Sequence, residues 1–239
     1  MRKKTERTKK GAALAASAAV LALLAGCAGP APAVQPTPTA APTARPTPQP
    51  TAQPSPTPAG PEITVVDGIT YVDGILVANK TYALPQSYAP GVDDEAQAAF
   101  DEMAAAAAQD GISLFIASGY RSYDYQKGLY ERYVARDGKA EADTYSARPG
   151  HSEHQTGLAF DLNKVDSSFA GTPEALWIAE HCHEYGFILR YPQDKEAVTG
   201  YCYEPWHVRY LGVDTAAAVY ESGLCLEEYL GITSAYAEP

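Results

Sequence analysis

Two histidines and two acidic residues have the types and spacing that a catalytic metal site needs. His154 and Asp161 lie in the stretch SARPGHSEHQTGLAFD, residues 146–161, and Glu204 and His207 lie in the segment EPWH. A catalytic zinc usually takes three protein ligands and leaves a fourth position for water. Two neutral imidazoles and one carboxylate leave such a metal with residual positive charge, which lowers the pKa of bound water toward neutrality. His154, Asp161 and His207 are therefore candidate ligands.

Glu204 is the candidate general base. A carboxylate that lies beside the metal without binding it can take a proton as water attacks a carbonyl, and can pass that proton to the leaving amine. If Glu204 bound the metal instead, the site would lose its base. The arrangement favours hydrolysis at a carbonyl that carries an amine leaving group.

The candidate ligands lie in a loop and in predicted strands. The polar, glycine-containing stretch 146–157 is typical of a loop, and it leads into LAFDLN, which alternates as a strand. Asp161 shares one face of that strand with the small Ala159. A last strand is expected to include or adjoin residues 206–210.

Further short strands are predicted from apolar runs and turn signals. Two Asp-Gly pairs, 67–68 and 73–74, lie among β-branched residues and predict tight hairpin turns. The runs ISLFIAS and FILRY are compact and apolar, as in buried strands.

Helices are predicted between these strands. The spacing of apolar residues favours helices over 93–109, 123–137 and 172–186, with further helical segments through Leu230. Because strands and helices follow no strict βαβ rhythm, we predict the α+β class. The expected architecture is a small antiparallel sheet flanked by helices, in a single domain over residues 62–239.

The charge of the chain argues against nucleic acid as a partner. The 239 residues include 18 Lys and Arg against 29 Asp and Glu, a formal net charge of −11. Residues 1–27 carry six basic residues and one acidic residue, so the rest of the chain has a more negative net charge than the whole. Neutralising phosphates is the main source of affinity for nucleic acids, which an acidic body cannot provide.

The first segment is typical of a targeting sequence. A basic start is followed by an apolar run that is short and rich in alanine, and it ends in Leu-Ala-Gly-Cys27. This ending resembles the lipobox of bacterial lipoproteins, in which the signal is cleaved before a cysteine that is then lipidated. We expect residues 1–26 to be the signal peptide and Cys27 to carry the lipid. An ordinary secretory signal with an incidental Cys27 is the alternative.

Residues 27–61 are interpreted as the lipidated cysteine and a disordered linker. The stretch after Cys27 holds 12 of the 19 prolines, alternating with Thr, Ala and Gln. Proline fixes φ and removes a backbone donor, so this segment favours an extended polyproline-II geometry over a packed core.

Three cysteines remain in the predicted domain, and an oxidising location permits a disulfide. We favour a bridge between Cys182 and Cys202, which leaves Cys225 single. The other pairings and three free thiols stay open. Because no Cys-x-x-Cys spacing occurs, a thiolate zinc site is not expected.

Four separated motifs resemble the VanY-type D-alanyl-D-alanine carboxypeptidases, zinc peptidases of bacterial peptidoglycan. The resemblance runs from about residue 76 to residue 212 and covers most of the folded region. The motifs are Ser152-x-His154-x-x-Gly157-x-Ala159-x-Asp161, Glu204-Pro-Trp206-His207, the turn SGYRS at 118–122 with Gln126, and YGFILRYP at 185–192.

The resemblance implies a role for each matching residue. It implies one zinc ion on His154, Asp161 and His207, with Glu204 as catalytic base. It also implies that three further residues hold the substrate peptide and its terminal carboxylate, namely Arg121, Gln126 and Ser152. A guanidinium suits this task because it can bind a carboxylate with two parallel hydrogen bonds. The implied fold is the small α+β type of the Hedgehog and DD-peptidase domains.

The expected function is removal of the terminal D-alanine from peptidoglycan stem peptides. Two alternatives stay open: an L,D-carboxypeptidase that trims tetrapeptide stems, and a non-catalytic lipoprotein that binds wall peptide. The expected partners are the stem peptide and, through the lipid on Cys27, the membrane. We expect no nucleic-acid partner and a monomer located outside the cytoplasm, anchored to the membrane and facing the cell wall.

Overall fold

A three-stranded antiparallel sheet begins the folded region of this computed structural model, which describes residues 60–237. Its strands are β1 (Ile63–Val66), β2 (Ile69–Val72) and β3 (Ile75–Val77), in that order. Both connections are Asp-Gly turns in which both residues have positive φ, 51° and 79° in the first and 48° and 81° in the second. Such turns match the twist of the flanking strands, and the predicted hairpins are confirmed.

The second sheet has four antiparallel strands and carries the candidate site. Its strands are β4 (Ile116–Ser118), β5 (Ala159–Leu162), β6 (Phe187–Leu189) and β7 (His207–Tyr210), in the order β4-β5-β7-β6. Strand β4 is shorter than the ISLFIAS run suggested, and its register against β5 shifts between Ile116 and Ser118.

Seven α-helices accompany the sheets in the described residues. They are α1 (Asp94–Gln109), α2 (Tyr123–Asp137), α3 (Lys139–Tyr145), α4 (Pro173–His181), α5 (Glu196–Thr199), α6 (Val213–Ser222) and α7 (Leu226–Leu230), with 3-10 turns at Glu153–Thr156, Ser167–Phe169 and Cys182–Tyr185.

Three of the helices, α1, α2 and α4, begin at a residue whose side chain caps the first turn. The side chains of Asp93, Ser122 and Thr172 accept hydrogen bonds from backbone N–H groups in the first turns of α1, α2 and α4. Each cap satisfies a donor that the helix itself cannot pair. The predicted starts of these helices are therefore confirmed.

The main core lies between the four-stranded sheet and helices α1 and α4. Phe160, Phe187 and Val208 on the sheet pack with Met103 of α1 and Ile178 of α4, all of them buried. Burying side chains of this size stabilises the fold by roughly 1.5–3 kcal/mol each. A second cluster joins the hairpin sheet to β6, α6 and α7.

The observed architecture confirms the predicted α+β class, with small antiparallel sheets and flanking helices. The predictions of a signal peptide at residues 1–26, of a lipidated Cys27 and of the linker up to residue 59 lie outside the described residues. Within residues 60–237, none of the helices combines the length and apolar character that crossing a membrane requires.

The favoured disulfide is wrong. Cys182, Cys202 and Cys225 are all free thiols in the described structure. Cys182 packs inside the main core, whereas Cys202 lines the cleft described below, so the two side chains serve different parts of the fold. Burial raises the pKa of the Cys182 thiol to about 12, which makes it an inert core residue.

Gly157 permits a close backbone contact between the loop of the candidate site and the start of α1. Its φ is +78°, and a Cβ at this position would lie 2.1 Å from the carbonyl oxygen of Gly91. The Gly157 carbonyl also accepts a hydrogen bond from the backbone N–H of Asp93 at 3.1 Å. Glycine is required here both for its conformation and for its lack of a side chain.

We predict that Gly157→Ala destabilises the domain more than Gly223→Ala. Gly223 has the same left-handed backbone conformation as Gly157, with φ +67°, but a Cβ there would meet nothing within 4 Å. The control should therefore show only the conformational penalty, about 1–2 kcal/mol. Gly157→Ala should lose a further 1–3 kcal/mol, roughly the penalty of overpacking. Urea unfolding measures both values, and equal losses would contradict the close contact.

Candidate active site and metal centre

The buried side chains of His154, Asp161 and His207 converge at one end of the four-stranded sheet. One ligating atom from each lies within 4.8 Å of the others. Asp161 on β5 pairs directly with His207 on β7, which places the two side chains next to each other. His154 reaches the same point from the 3-10 turn Glu153–Thr156. The three residues named as candidate ligands are thus brought together.

The orientation of His154 is set by the turn after β4. Its Nδ1 is 2.8 Å from the carbonyl oxygen of Gly119, which leaves Nε2 directed at Asp161, 3.2 Å from Oδ2. The backbone N–H of Arg121 donates in return to the His154 carbonyl oxygen at 3.1 Å. Burial lowers the pKa of His154, which favours the neutral imidazole that a metal requires.

His207 presents its two ring nitrogens to different acids. Nδ1 lies 3.3 Å from Asp161 and 3.4 Å from Glu204, whereas Nε2 lies 3.4 Å from Glu153. Burial alone would lower the pKa of His207, but these carboxylates outweigh it and hold the pKa well above its ordinary value. The surroundings of Nδ1 therefore favour a positive charge.

A metal cation fits the donor set of this site. Burial would raise the pKa of Asp161, but His154 and His207 hold it well below its usual range, so the carboxylate is ionised. Two imidazoles and one carboxylate at this spacing are ligands that zinc takes in catalytic sites. A divalent cation can occupy the place that the proton on His207 would otherwise fill.

Glu204 lies beside the three candidate ligands. Its backbone N–H donates to Tyr191 and its carbonyl oxygen accepts from the His207 N–H, so the turn 204–207 directs both side chains toward the same centre. Burial raises the pKa of Glu204. The carboxyl group is thus close to the centre and held in a water-poor environment.

Arg121 lines the same cleft as the candidate ligands. Its Nε donates to the Ser118 hydroxyl at 2.9 Å, and its guanidinium forms an ion pair with Asp161. The side chain keeps 19% of its surface exposed, so it remains accessible from the cleft.

The other two residues expected to hold substrate, Gln126 and Ser152, are buried in the cleft wall. Gln126 donates from Nε2 to the Ala147 carbonyl oxygen at 2.8 Å, while its Oε1 has no hydrogen-bond partner among the described residues. Its acceptor oxygen is therefore available to a donor.

A cleft of about 270 Å³ joins these groups. One part of its wall carries the candidate ligands with Glu204 and Arg121, and the rest is largely aromatic and polar. The lining of that second part includes Gln126, Tyr133, Tyr145, Ser146, Ser152, Tyr191, Tyr201 and Cys202.

A buried ionic network that the motifs do not reveal lies behind His207. Glu153, Arg190, Arg209 and Glu227 are fully buried and joined by hydrogen bonds of 2.6–3.0 Å. Glu153 stands inside the motif between Ser152 and His154, and Arg190 stands inside YGFILRYP. A charged residue within each motif was the available signal, but the sequence did not show that these charges pair.

Comparison with known proteins identifies the family. The family model VanY, D-alanyl-D-alanine carboxypeptidase, matches residues 90–213. YodJ of Bacillus subtilis is 36% identical over 197 residues, which cover 70% of this chain and 72% of YodJ.

Two solved structures resemble the described fold. An L,D-carboxypeptidase, DacB, from Streptococcus pneumoniae has a TM-score of 0.67 and 41% identity, covering 74% of this chain and 98% of DacB. A vancomycin-resistance D,D-pentapeptidase, VanY, in complex with Zn(II) has a TM-score of 0.59 and 36% identity, covering 64% of this chain and 97% of that one. The fold is accordingly the Hedgehog/DD-peptidase-like fold that the motifs predicted.

The family model matches more than half of the chain, and more than two thirds of YodJ is covered. This chain therefore belongs to the VanY family of D-alanyl-D-alanine carboxypeptidases, and it is a peptidase of the hydrolase class.

Proposed function

We propose that this carboxypeptidase of peptidoglycan peptides is zinc-dependent and removes the C-terminal D-alanine from stem peptides that end in D-Ala-D-Ala. The observation that carries the proposal is the convergence of His154, Asp161 and His207, with ligating atoms within 4.8 Å, beside Glu204 and Arg121. A base, a cation site and a carboxylate anchor in one cleft are the parts that a metallo-carboxypeptidase needs.

In this proposal His154, Asp161 and His207 hold the zinc ion. The VanY structure that resembles this chain contains Zn(II), and the donor set here suits the same metal. When bound, zinc supplies the acidity that activates water near neutral pH and polarises the carbonyl under attack.

Glu204 acts as the general base and then as the general acid. Its carboxylate takes the proton that the attacking water releases and delivers it to the nitrogen of the departing D-alanine. Its burial beside the candidate ligands, 3.4 Å from Nδ1 of His207, keeps it within reach of the reacting atoms.

Arg121, with Gln126 and Ser152, holds the end of the peptide. The part of the Arg121 side chain that faces the cleft can bind the terminal carboxylate, which restricts cleavage to the last residue. Oε1 of Gln126, which has no hydrogen-bond partner within residues 60–237, can accept a backbone N–H of the substrate.

We predict that Glu204→Gln strongly slows D-alanine release from a stem pentapeptide without loss of zinc. The amide keeps the size of the side chain but cannot take the proton, so kcat should fall by about 10²–10⁴-fold. Mass analysis of the products from the zinc-loaded full chain measures this effect. Metal content and melting temperature should match those of the wild type.

Equal activity of the two proteins would remove Glu204 from the role of base. If neither protein released D-alanine but both bound the pentapeptide, the chain would be a binding protein instead of an enzyme.

An L,D-carboxypeptidase activity on tetrapeptide stems is the second candidate. The L,D-carboxypeptidase DacB has a higher TM-score than the zinc-containing VanY, 0.67 against 0.59. The two activities differ in the configuration of the residue before the cut. The same assay with a tetrapeptide decides between them, because a higher kcat/KM on the pentapeptide is expected for the D,D activity.

We predict that Arg121→Ala lowers kcat/KM for the pentapeptide by about 10- to 100-fold, which corresponds to the loss of a hydrogen bond to a charged group. A pentapeptide with an amidated C-terminus is the matched control substrate. The wild type should discriminate against it, whereas Arg121→Ala should treat both peptides nearly alike. Unchanged discrimination in the variant would show that another group reads the carboxylate.

We further propose that the chain is an extracytoplasmic lipoprotein that works as a monomer. Residues 1–26 would be its signal peptide, Cys27 its lipidated first residue, and the linker up to residue 61 its spacer from the membrane to the wall. This placement would bring the cleft to its stem-peptide substrate.

We predict that Cys27→Ala releases the exported protein from the membrane fraction, because the lipid would be its only anchor in this proposal. Fractionation of cells that express the full chain, followed by blotting, measures the distribution. Arg45→Ala, in the linker, is the control and should leave the protein in the membrane fraction. A distribution that Cys27→Ala does not change would favour the ordinary secretory signal.

A further inference from the structure

Two buried polar atoms lie close together beside the candidate metal centre. Oε2 of Glu153 and Nε2 of His207 are both buried and lack a hydrogen-bond partner among the described residues. They lie 3.4 Å apart. Buried polar groups are almost always paired, so this contact calls for a functional explanation.

The other oxygen of Glu153 is fully engaged. Oε1 accepts from Nε of Arg190 at 2.7 Å and from Nη1 of Arg209 at 3.0 Å. Two fixed guanidinium groups thus hold the carboxylate in one orientation, with Oε2 directed at His207. Oε2 is left as an acceptor for the imidazole.

The network around Glu153 is balanced in charge. Arg190 also donates to both oxygens of Glu227, at 2.8 and 2.6 Å, so two arginines face two glutamates. Glu227 contacts Arg190 and Asn79 but has no hydrogen bond to His207. Glu153 and Glu227 therefore play similar parts in the charge balance and differ in their contact with the histidine.

We propose that Glu153 is a positioning residue that selects the tautomer of His207. The carboxylate holds a proton on Nε2, which leaves the lone pair of Nδ1 free on the side of Asp161 and the metal. Carboxylates that accept from the second nitrogen of a metal-binding histidine fix the orientation of the ring in this way. The inference rests on the proposed metal site and adds the residue that prepares it.

Glutamine at position 153 would reverse this preference. The two arginines donate hydrogen bonds and would capture the amide oxygen, so the NH2 group would face Nε2 of His207. A donor at this position stabilises a lone pair on Nε2 and moves the proton to Nδ1, where the metal must bind. Glu153→Gln should therefore weaken the metal site and not merely loosen the fold.

The test compares Glu153→Gln with Glu227→Gln in the full chain. Each variant removes one carboxylate from the same buried network, so both should melt at lower temperature than the wild type. Zinc affinity, measured by competition with a chromogenic chelator, should fall by about 10- to 100-fold in Glu153→Gln alone. In nitrogen-15 spectra, the zinc-loaded wild type should show the His207 ring protonated at Nε2, with the signal assigned by its absence from His207→Gln.

Each outcome separates the positioning role from a structural one. Equal losses of zinc affinity in both variants, or no loss in either, would overturn the proposal. A wild type that binds no zinc would refute the proposed function itself. If Glu153→Gln does not fold, Glu153→Asp keeps the negative charge but draws the carboxylate away from His207, and it should still lose zinc affinity. Wild-type affinity in Glu153→Asp would equally overturn the inference.

Discussion

The pairing of β5 with β7 is the constraint on which the site depends. It sets Asp161 directly opposite His207, and His154 and Glu204 approach this pair from the turns that precede the two strands. A shift of one residue in this register would turn Asp161 to the opposite face of the sheet and separate the donors. The core beneath holds the register, because Phe160 and Val208 form the neighbouring cross-strand pair and are both fully buried.

Buried charge is the second organising feature, and it is arranged in two layers. The inner layer has the carboxylates of Asp161 and Glu204 beside Nδ1 of His207, and they attract a cation. The outer layer neutralises itself, with Arg190 and Arg209 between Glu153 and Glu227. Buried ion pairs contribute little net stability, but breaking one leaves an uncompensated charge at a penalty of about 3–5 kcal/mol. The outer layer therefore resists rearrangement. Because Glu153 contacts His207, this layer also restricts movement of the inner layer.

Local signals in the sequence predicted the elements that depend on neighbours along the chain. Asp93 and Ser122 mark helix starts through bonds to residues three positions away, and the Asp-Gly pairs determine their own turns. The motifs also predicted which residues would meet in the cleft. The pairing of Arg190 with Glu227, 37 positions apart, depends on the tertiary fold, as does the separation of Cys182 from Cys202. No periodicity or spacing records such contacts.

The outer charge layer extends beyond both ends of the region that matches the family model. Glu227 lies after the region that matches the family model, residues 90–213. Asn79, which donates to Glu227, and the Leu76 carbonyl oxygen, which accepts from Arg209, lie before it. A fragment cut at the family boundaries would enclose Arg190 and Arg209 with Glu153 as the remaining carboxylate of the network. Truncations that are meant to keep this network intact should therefore retain the hairpin sheet and α7.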